Sequence, residues 1–335
     1  MRLLDRRVLM KSVAGAAFAT TFSIARAEPI KLKFGNDLPA THSVNLRLTE
    51  AIQAISDETH GEVAISLFPN NQLGNDKDMI SQLRSGALEL ATMPNTVIST
   101  LVPQTALFGV GYAFSDYDKV WAAVDGDLGA HVRALIAKTG LVPFEAGWDN
   151  GFREITSSTH PIDKPEDLAG FKIRVPVVPL WVSMFSALGA SPVSIPLAEA
   201  YSALQTKIAD GQENPLPLID VAKFYEVQKY CSLTNHAWDG FWLIAAGKPW
   251  AALPKDAQAV IAKHFNAAAK QQRDDLAKAS IDLRKALEGK GLVFNAPDLA
   301  PFKAALAKTD FYKRARAKFG DEGWTLLQKY AGDIG

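Results

Sequence analysis

The sequence predicts an α/β protein of two lobes, each built on its own mixed sheet, with one long helix that spans both. The chain has 335 residues, and this length favours about two domains. Strand-length and helix-length apolar patterns alternate along it, which is typical of strands covered by helices. Residues 256–288 keep a helical pattern without proline or glycine. Such a helix would be roughly 50 Å long, which exceeds the width of one lobe.

The first lobe is predicted from alternating strands and helices after residue 31. Ser43 suits the N-cap of the first helix, and Gly61 and Gly86 suit the ends of the first and second helices. This order places the strands on a largely parallel sheet. Its elements are a strand at 32–35, a helix from 43, a strand at 62–68, a helix at 76–85, a strand at 88–92, an apolar loop at 96–114, a helix at 119–139 and a strand at 141–147.

The second lobe is predicted to begin near Asn150 and Gly151, after which the same alternation resumes. Its elements are a short helix ending at Gly170, strands at 171–175 and 192–195, helices at 180–188 and 197–208, and helical residues from 216 to about 230. A strand at 242–246 returns to the first lobe, and two or three short helices fill 298–334. We therefore assign 28–150 plus about 240–275 to the first lobe, and 151–239 plus about 276–335 to the second.

Composition excludes several classes of protein. Apolar residues make up 48% and charged residues 21%, which is ordinary for a soluble globular chain. The 36 basic and 36 acidic residues cancel, so a nucleic-acid partner is not expected. Cys231 is the only cysteine, so an intrachain disulfide is excluded, and the residue is expected to be a small buried side chain.

The N-terminus is predicted to be an export signal. A basic region that ends at Lys11 precedes a short run of small and apolar residues, and AxA at 25–27 is a cleavage site. The mature protein would then begin at Glu28 in the periplasm. The pair Arg6-Arg7 favours the twin-arginine route, with an ordinary secretory signal as the alternative. The apolar run is too short to cross a bilayer.

The segment 171–215 carries the strongest functional signal. A strand-like run, FKIRVP at 171–176, contains Arg174 among apolar residues, and DGQENP at 210–215 contains Asn214. A guanidinium suits a carboxylate because its planar fork donates two parallel hydrogen bonds. We expect Arg174 to bind a carboxylate and Asn214 a neighbouring polar group.

These blocks resemble the solute-binding subunits of TRAP transporters, the DctP family. The similarity includes KIRVP at 172–176, GASP at 189–192, ALQT at 203–206, DGQENP at 210–215, WDNGFR at 148–153, QLG at 72–74 and KFYEVQK at 223–229. Because the blocks keep one order and cover nearly all of the mature chain, they are more specific than any single motif.

The resemblance implies a bilobed, type II periplasmic binding fold and a receptor that binds a small organic acid between its lobes. It places Arg174 on the ligand carboxylate, Arg153 at the cleft and Asn214 in contact with the ligand. The implied partners are a large and a small membrane subunit driven by an ion gradient, and the implied state is a monomer. No cofactor or metal is expected, and the familiar catalytic motifs are missing, so the chain is not expected to be an enzyme.

Further contacts are predicted from position. Trp148 is the preferred pocket aromatic because it stands at a strand end beside Asn150, and Phe241 is a second aromatic candidate. Asn36 and Asn95 follow strands whose carboxyl ends should face the crevice. His42 fits a helix cap as well as a contact.

The ligand itself is left open between an aromatic acid, a sugar acid and a short keto or hydroxy acid, with a slight preference for an apolar face. Binding of a cation beside the ligand is also open. Two other functions remain possible for this sequence: a module that presents an organic acid to a receptor kinase, and an exported enzyme acting on such an acid.

Overall fold

The computed structural model describes residues 28–334, apart from the side chains of residues 280 and 281. The predicted signal peptide and its cleavage site after Ala27 lie outside the described residues. Within the described part, no helix is both long enough and apolar enough to cross a membrane.

Helices and strands alternate through most of the chain. The first half contains β1 (Ile30–Gly35), α1 (Ser43–Glu58), β2 (Val63–Phe68), α2 (Asp76–Ser85), β3 (Leu90–Pro94), α3 (Asn95–Ile98), α4 (Tyr117–Asp125), α5 (Asp127–Ala137), β4 (Leu141–Pro143), β5 (Trp148–Phe152) and β6 (Glu154–Ser157). The second half contains β7 (Lys172–Val175), α6 (Pro179–Ala187), β8 (Ser191–Ser194), α7 (Leu197–Gln205), β9 (Gly211–Asn214), α8 (Leu216–Val221), β10 (Tyr230–Ser232), β11 (Trp238–Ala246), α9 (Gly247–Ala252), α10 (Lys255–Gly289), β12 (Val293–Asn295), α11 (Ala300–Ala307), α12 (Phe311–Phe319) and α13 (Asp321–Ala331).

The described strands form two mixed sheets, as predicted. In the first sheet the order is β2-β1-β3-β11-β4, and β5 also pairs with β11. Strands β1, β2 and β3 run parallel, whereas β11 is antiparallel to β3, β4 and β5. In the second sheet the order is β12-β10-β6-β9-β7-β8, with β7 parallel to β8 and β9. The α/β fold class and its two sheets are confirmed.

Two neighbouring segments carry the chain between the sheets, and α10, which leads from β11 to β12, makes a third crossing. Arg153 separates β5 in the first sheet from β6 in the second, and Ala237 precedes β11 on the return path. The amide of Arg153 donates to the carbonyl of Ala237 at 2.8 Å, so the two crossings pair with each other. Gly151 has φ +122°, and a Cβ at this position would lie 3.0 Å from Pro215, so a larger residue would strain the crossing.

The long helix α10 contributes side chains to the apolar clusters beside both sheets, as predicted. Near its middle, Asp275 pairs with Arg47 of α1, and Lys290 just beyond its C-terminus pairs with Asp220 of α8. Pro254 is its N-cap, and Gly291 follows it with φ +101°. The predicted range of 256–288 differs from the observed helix by one residue at each end.

Several local predictions were wrong. The segment 96–114 is not a loop, because it contains α3 and a 3₁₀ helix at Pro103–Gly109. The single helix predicted at 119–139 is two helices separated by Gly126, where a Cβ would collide with the carbonyl of Ala122. The strand predicted at 141–147 is shorter, and β11 begins four residues earlier than predicted.

The N-cap of α1 is also corrected. His42 is buried and its Nδ1 accepts a hydrogen bond from the amide of Val44, whereas Ser43 is the first helical residue. The C-terminal segment forms α11, α12 and α13, in agreement with the predicted short helices. Helix α13 packs against α4 and α5 of the first half of the chain. The proposed lobe boundaries stay a prediction.

Candidate functional site

A cavity of about 190 Å³ lies between the two sheets. Its walls come from the carboxyl ends of strands in both sheets, including residues that follow β1, β3, β7 and β8. Ligands of open α/β sheets bind at such ends, outside the strands. The volume is below the roughly 300–1,000 Å³ of sites for drug-sized molecules, which favours a small solute.

Arg174 of β7 lines this cavity with a guanidinium that the protein pairs incompletely. Its Nε donates to the carbonyl of Ile195 at 2.8 Å, which directs the side chain from the strand. Its Nη2 is buried and has no hydrogen-bond partner in the protein. Burial lowers the pKa of Arg174 to about 10, so the group stays positively charged at neutral pH. A buried donor without a partner is available for an acceptor on a ligand.

Arg153 lines the same cavity, but the protein already pairs it extensively. Its Nη2 donates to the Glu213 carboxylate at 3.0 Å, to the Glu213 carbonyl at 2.8 Å and to the Asn214 side-chain oxygen at 2.8 Å, and its Nε also donates to the Glu213 carboxylate. Its guanidinium lies 4.3 Å from the ring centroid of Trp181. These contacts hold Arg153 in one orientation at the junction of the lobes.

Glu213 binds Arg153 directly, and His236 in turn contacts Glu213. The Nε2 atom of His236 lies 3.1 Å from Glu213 Oε2, and its Nδ1 lies 2.8 Å from the Thr234 hydroxyl. Burial by itself would raise the pKa of Glu213, but the charge of Arg153 and the bond to His236 hold this pKa below its usual value. Burial lowers the pKa of His236, so the imidazole favours its neutral form. The network is a charged pair fixed by a neutral histidine.

Three aspartates on the cavity wall are less well paired. Burial raises the pKa of Asp37 to about 6 and that of Asp239 to about 7. Burial also raises the pKa of Asp76, and the neighbouring charge of Asp37 raises it further. Asp239 lies 3.7 Å from Nη1 of Arg153 and accepts from the Thr96 hydroxyl at 3.2 Å. The cavity therefore contains more carboxyl groups than its arginines neutralise.

Unpartnered polar atoms concentrate at this cavity. Among the described residues, nine buried side-chain nitrogen or oxygen atoms have no hydrogen-bond partner, and five of the nine belong to cavity-lining residues. One of these five is a donor, Nη2 of Arg174. The other four are oxygens of Asp37, Asp76, Asn150 and Asp239. Since buried polar groups in proteins are nearly always paired, this clustering indicates a site for a polar ligand.

The structure brings together five of the eight predicted contact residues. Arg174, Arg153, Asn214, Asn150 and Phe241 all line the cavity. The amide nitrogen of Asn214 donates to Gln212 while its oxygen accepts from Arg153, so its side chain is already engaged at both ends. Their roles as ligand contacts stay predictions.

The other three predicted residues lie outside the cavity lining. Trp148 packs in the apolar core with Phe144 and Leu243. The Asn36 amide donates to Asn45 at 2.7 Å and accepts from the amide of Leu38 at 3.1 Å, so it braces the turn after β1. Asn95 is buried at the start of α3, with its side-chain oxygen unpaired. A place at the end of a strand is therefore not enough to predict whether a side chain faces the cavity or the core.

Sequence reasoning did not select the three aspartates. Asp37 directly follows the chosen Asn36, and Asp76 begins α2 just after the QLG block at 72–74. Asp239 stands in a strand whose other residues are apolar or glycine. A single acid in such a strand, and an acid in the loop after the first strand, are signals that could have identified two of them.

The described residues contain no group of three or more histidine, cysteine or acidic side chains arranged to hold a metal ion. The site instead combines two arginines, unpaired acceptor oxygens and an apolar wall that includes Phe241, Leu197 and Leu218. This arrangement suits reversible binding of a small, partly polar anion.

The chain matches one protein family along most of its length. The family model for bacterial extracellular solute-binding proteins, family 7 (DctP), matches residues 34–315. A solute-binding protein of Roseobacter denitrificans is 34% identical over 308 residues, which cover 91% of this chain and 93% of that protein. The 2,3-diketo-L-gulonate-binding periplasmic protein of Escherichia coli is 32% identical over 277 residues, with 83% and 82% covered.

Solved structures show the same fold. The sugar acid binding protein DctPAm of Advenella mimigardefordensis, in complex with galactonate, superposes with a TM-score of 0.87 at 29% identity, covering 92% of this chain and 99% of that one. A TRAP periplasmic solute-binding protein of Sulfurospirillum deleyianum with bound succinate gives 0.85 at 27% identity, covering 91% and 99%. The chain therefore belongs to the DctP family of TRAP solute-binding proteins, bilobed periplasmic receptors of organic acids that work with TRAP membrane components and are not enzymes.

Proposed function

We propose that this protein binds a small organic carboxylate between its lobes through Arg174 and delivers it to a TRAP membrane transporter driven by an ion gradient. The observation that carries the proposal is the buried Nη2 of Arg174, a charged donor that no protein group satisfies. Relatives of the same fold hold galactonate or succinate, both of which present a carboxylate.

Closure of the lobes gives the receptor its mechanism. A carboxylate that meets Arg174 from the open cleft becomes sequestered from water when the lobes close about the crossings at Arg153 and Ala237. Removal of water strengthens the ion pair and stabilises the closed form. The membrane subunits can then distinguish the loaded from the empty receptor by its shape.

Arg153 has a supporting role in this proposal. Because Glu213 and Asn214 already occupy its Nε and Nη2, we assign it to orienting the junction and contributing positive potential to the cavity. Asn150 and Phe241 complete the ligand wall. The chain is further proposed to act as an exported monomer without a cofactor.

Calorimetry on an Arg174→Ala variant tests the clamp. Loss of the partner of a desolvated anion costs about 3–5 kcal/mol, so the affinity for a bound organic acid should fall roughly 100- to 5,000-fold. Surface Arg314→Ala is the matched control and should leave the affinity unchanged. An affinity of Arg174→Ala within threefold of wild type would refute the assignment.

Delivery is tested in cells. Deletion of the receptor, with the membrane subunits intact, should abolish uptake of the acid that the purified protein binds. Uptake that persists while induction of the transport genes is lost would instead show a sensory module.

A further inference from the structure

We propose that the cavity is built for a monocarboxylate carrying several hydroxyl groups, and that Asp37 and Asp76 select it against dicarboxylates. The inference rests on the proposed binding of a carboxylate by Arg174. It adds the chemistry of the remainder of the ligand, which the carboxylate clamp leaves open.

The unpaired polar atoms of the cavity are mostly acceptor oxygens. Arg174 offers one buried free donor, whereas Asp37, Asp76 and Asn150 each present a buried oxygen without a partner. A ligand that satisfies all of them has one acceptor group and several donors. A carboxylate at one end and hydroxyl groups along the rest of the molecule meet this requirement.

Asp37 and Asp76 lie on the opposite side of the cavity from the strand that carries Arg174. Asp37 follows β1 and Asp76 begins α2, so both belong to the first-sheet side, while Arg174 projects from β7 in the second sheet. Asp37, Asp76 and Arg174 all line the same cavity. A ligand held by Arg174 therefore has these acids within the same small cavity.

The charged groups of the cavity leave one arginine for the ligand. Arg153 is neutralised by Glu213, and Asp239 lies 3.7 Å from its Nη1 atom. Arg174 is therefore left to bind one anionic group of the ligand. A second carboxylate on the ligand would meet Asp37 and Asp76 without a free cation. Because burial already raises the pKa of both acids, that carboxylate could bind only beside an ionised acid or with uptake of a proton, and both are unfavourable. A hydroxyl group in that position instead donates to either oxygen.

The cavity has little aromatic lining. Trp148, Trp181, Trp238 and Trp242 are all buried and none of them lines the cavity, which leaves Phe241 as its aromatic wall. The initial preference for an aromatic-faced acid therefore loses its basis. The aliphatic lining from Leu38, Leu197 and Leu218 suits the carbon skeleton of a hydroxylated chain.

Matched sets of ligands test the inference by titration calorimetry on the wild-type protein. The four-carbon set is erythronate, butyrate and succinate, and the six-carbon set is galactonate, gluconate, hexanoate, adipate and 6-aminohexanoate. We expect at least one hydroxylated monocarboxylate to bind at least about 100-fold more tightly than the unsubstituted acid and the diacid of the same length. Equal or tighter binding of a diacid or an unsubstituted acid overturns the inference, and so does tighter binding of 6-aminohexanoate, which would show an ammonium site.

The Asp76→Asn variant tests the role of the acid. It keeps the size of the side chain and cannot ionise, so a second carboxylate of the ligand meets one acid fewer and the ratio of diacid to hydroxy-acid affinity should rise about tenfold or more. Asp118→Asn is the matched control, because Asp118 is likewise an acid in the first turn of a helix but lies exposed on α4. An unchanged ratio in Asp76→Asn contradicts the selective role.

Failure of this inference is distinguishable from failure of the proposed function. If no acid of either set binds, or if Arg174→Ala binds as tightly as wild type, the carboxylate clamp itself is wrong. If the acids bind through Arg174 but hydroxyl groups add nothing, only the selection by Asp37 and Asp76 is wrong.

Discussion

Arg153 and Arg174 line the same cavity and are equally buried, yet the protein treats them differently. Arg153 donates to Glu213 and Asn214 and stacks over Trp181. Arg174 donates through Nε to one carbonyl and leaves Nη2 without a partner. A buried charge with its partners belongs to the scaffold, whereas a buried charge without one is held ready for a ligand.

The largest effect on stability should come from the paired arginine. Glu213→Gln removes the charge that balances Arg153, and loss of one partner of a buried pair costs about 3–5 kcal/mol in the free energy of unfolding. Arg174→Met keeps most of the side-chain volume and removes a charge that lacks a partner, so it should change stability by less than about 1 kcal/mol. Urea denaturation of the ligand-free proteins measures both. Equal losses in the two variants would contradict the distinction.

The pH dependence of stability should differ between the paired and unpaired carboxyl groups. Burial raises the pKa of Asp239 to about 7, above the roughly 3.9 of an unfolded aspartate. The folded protein therefore holds this proton more tightly. The contribution of Asp239 is fully present below about pH 4 and is lost as the pH rises through about 7. Glu213 behaves oppositely, because its pKa is lowered and its contribution is lost on acidification.

An Asp239→Asn variant isolates this effect. The free energy of unfolding of the wild type should fall relative to that of the variant as the pH is raised from 4 to 8, since the asparagine has no proton to lose. Denaturation curves at pH 5 and pH 8, with Asp118→Asn as the control, measure the difference. A gap of the same size at both pH values would show that Asp239 is not perturbed.

A partly exposed ion pair should have the smallest effect. Arg47 of α1 donates to both oxygens of Asp275 on α10, at 2.6 and 2.8 Å, but the two side chains remain 27% and 34% exposed. Solvent screens such pairs, so a double-mutant cycle should give about 0.2–1 kcal/mol, reduced further in 1 M salt. A coupling energy as large as that of Arg153 and Glu213 would mean that burial does not explain the contrast between the cavity arginines.

Much of the fold could be predicted from the sequence because its signals are local. The long helix α10 keeps one apolar pattern without proline or glycine, and α2 ends at Gly86, whose φ of +80° suits glycine. The predictions failed where local pattern and packing disagree. The backbone of Gly126 is extended, with φ −90° and ψ −156°, and this divides one predicted helix into two. A Cβ there would collide with the carbonyl of Ala122, so the site requires glycine, and hydropathy does not show this.

The candidate site could be predicted only in part. Arg174 was the first candidate because it is an arginine, which suits a carboxylate, and because it stands in a short apolar strand. It does line the cavity. Trp148 and Asn150 are two residues apart on β5, yet Trp148 packs in the core while Asn150 lines the cavity. Sequence placed both near the cleft, but the bulge in the pairing of β5 with β11 shifts the register beside them, which sequence does not reveal.

The sequence by itself determined the family resemblance, the alternation of elements, the spanning helix and the choice of an arginine for an acid. The tertiary structure alone decided which arginine is paired and which oxygens remain free. The physical reason is that pairing depends on side chains far apart in the chain: Glu213 reaches Arg153 across 60 residues. Asp37 and Arg174 line one cavity only because two separate sheets face each other across it.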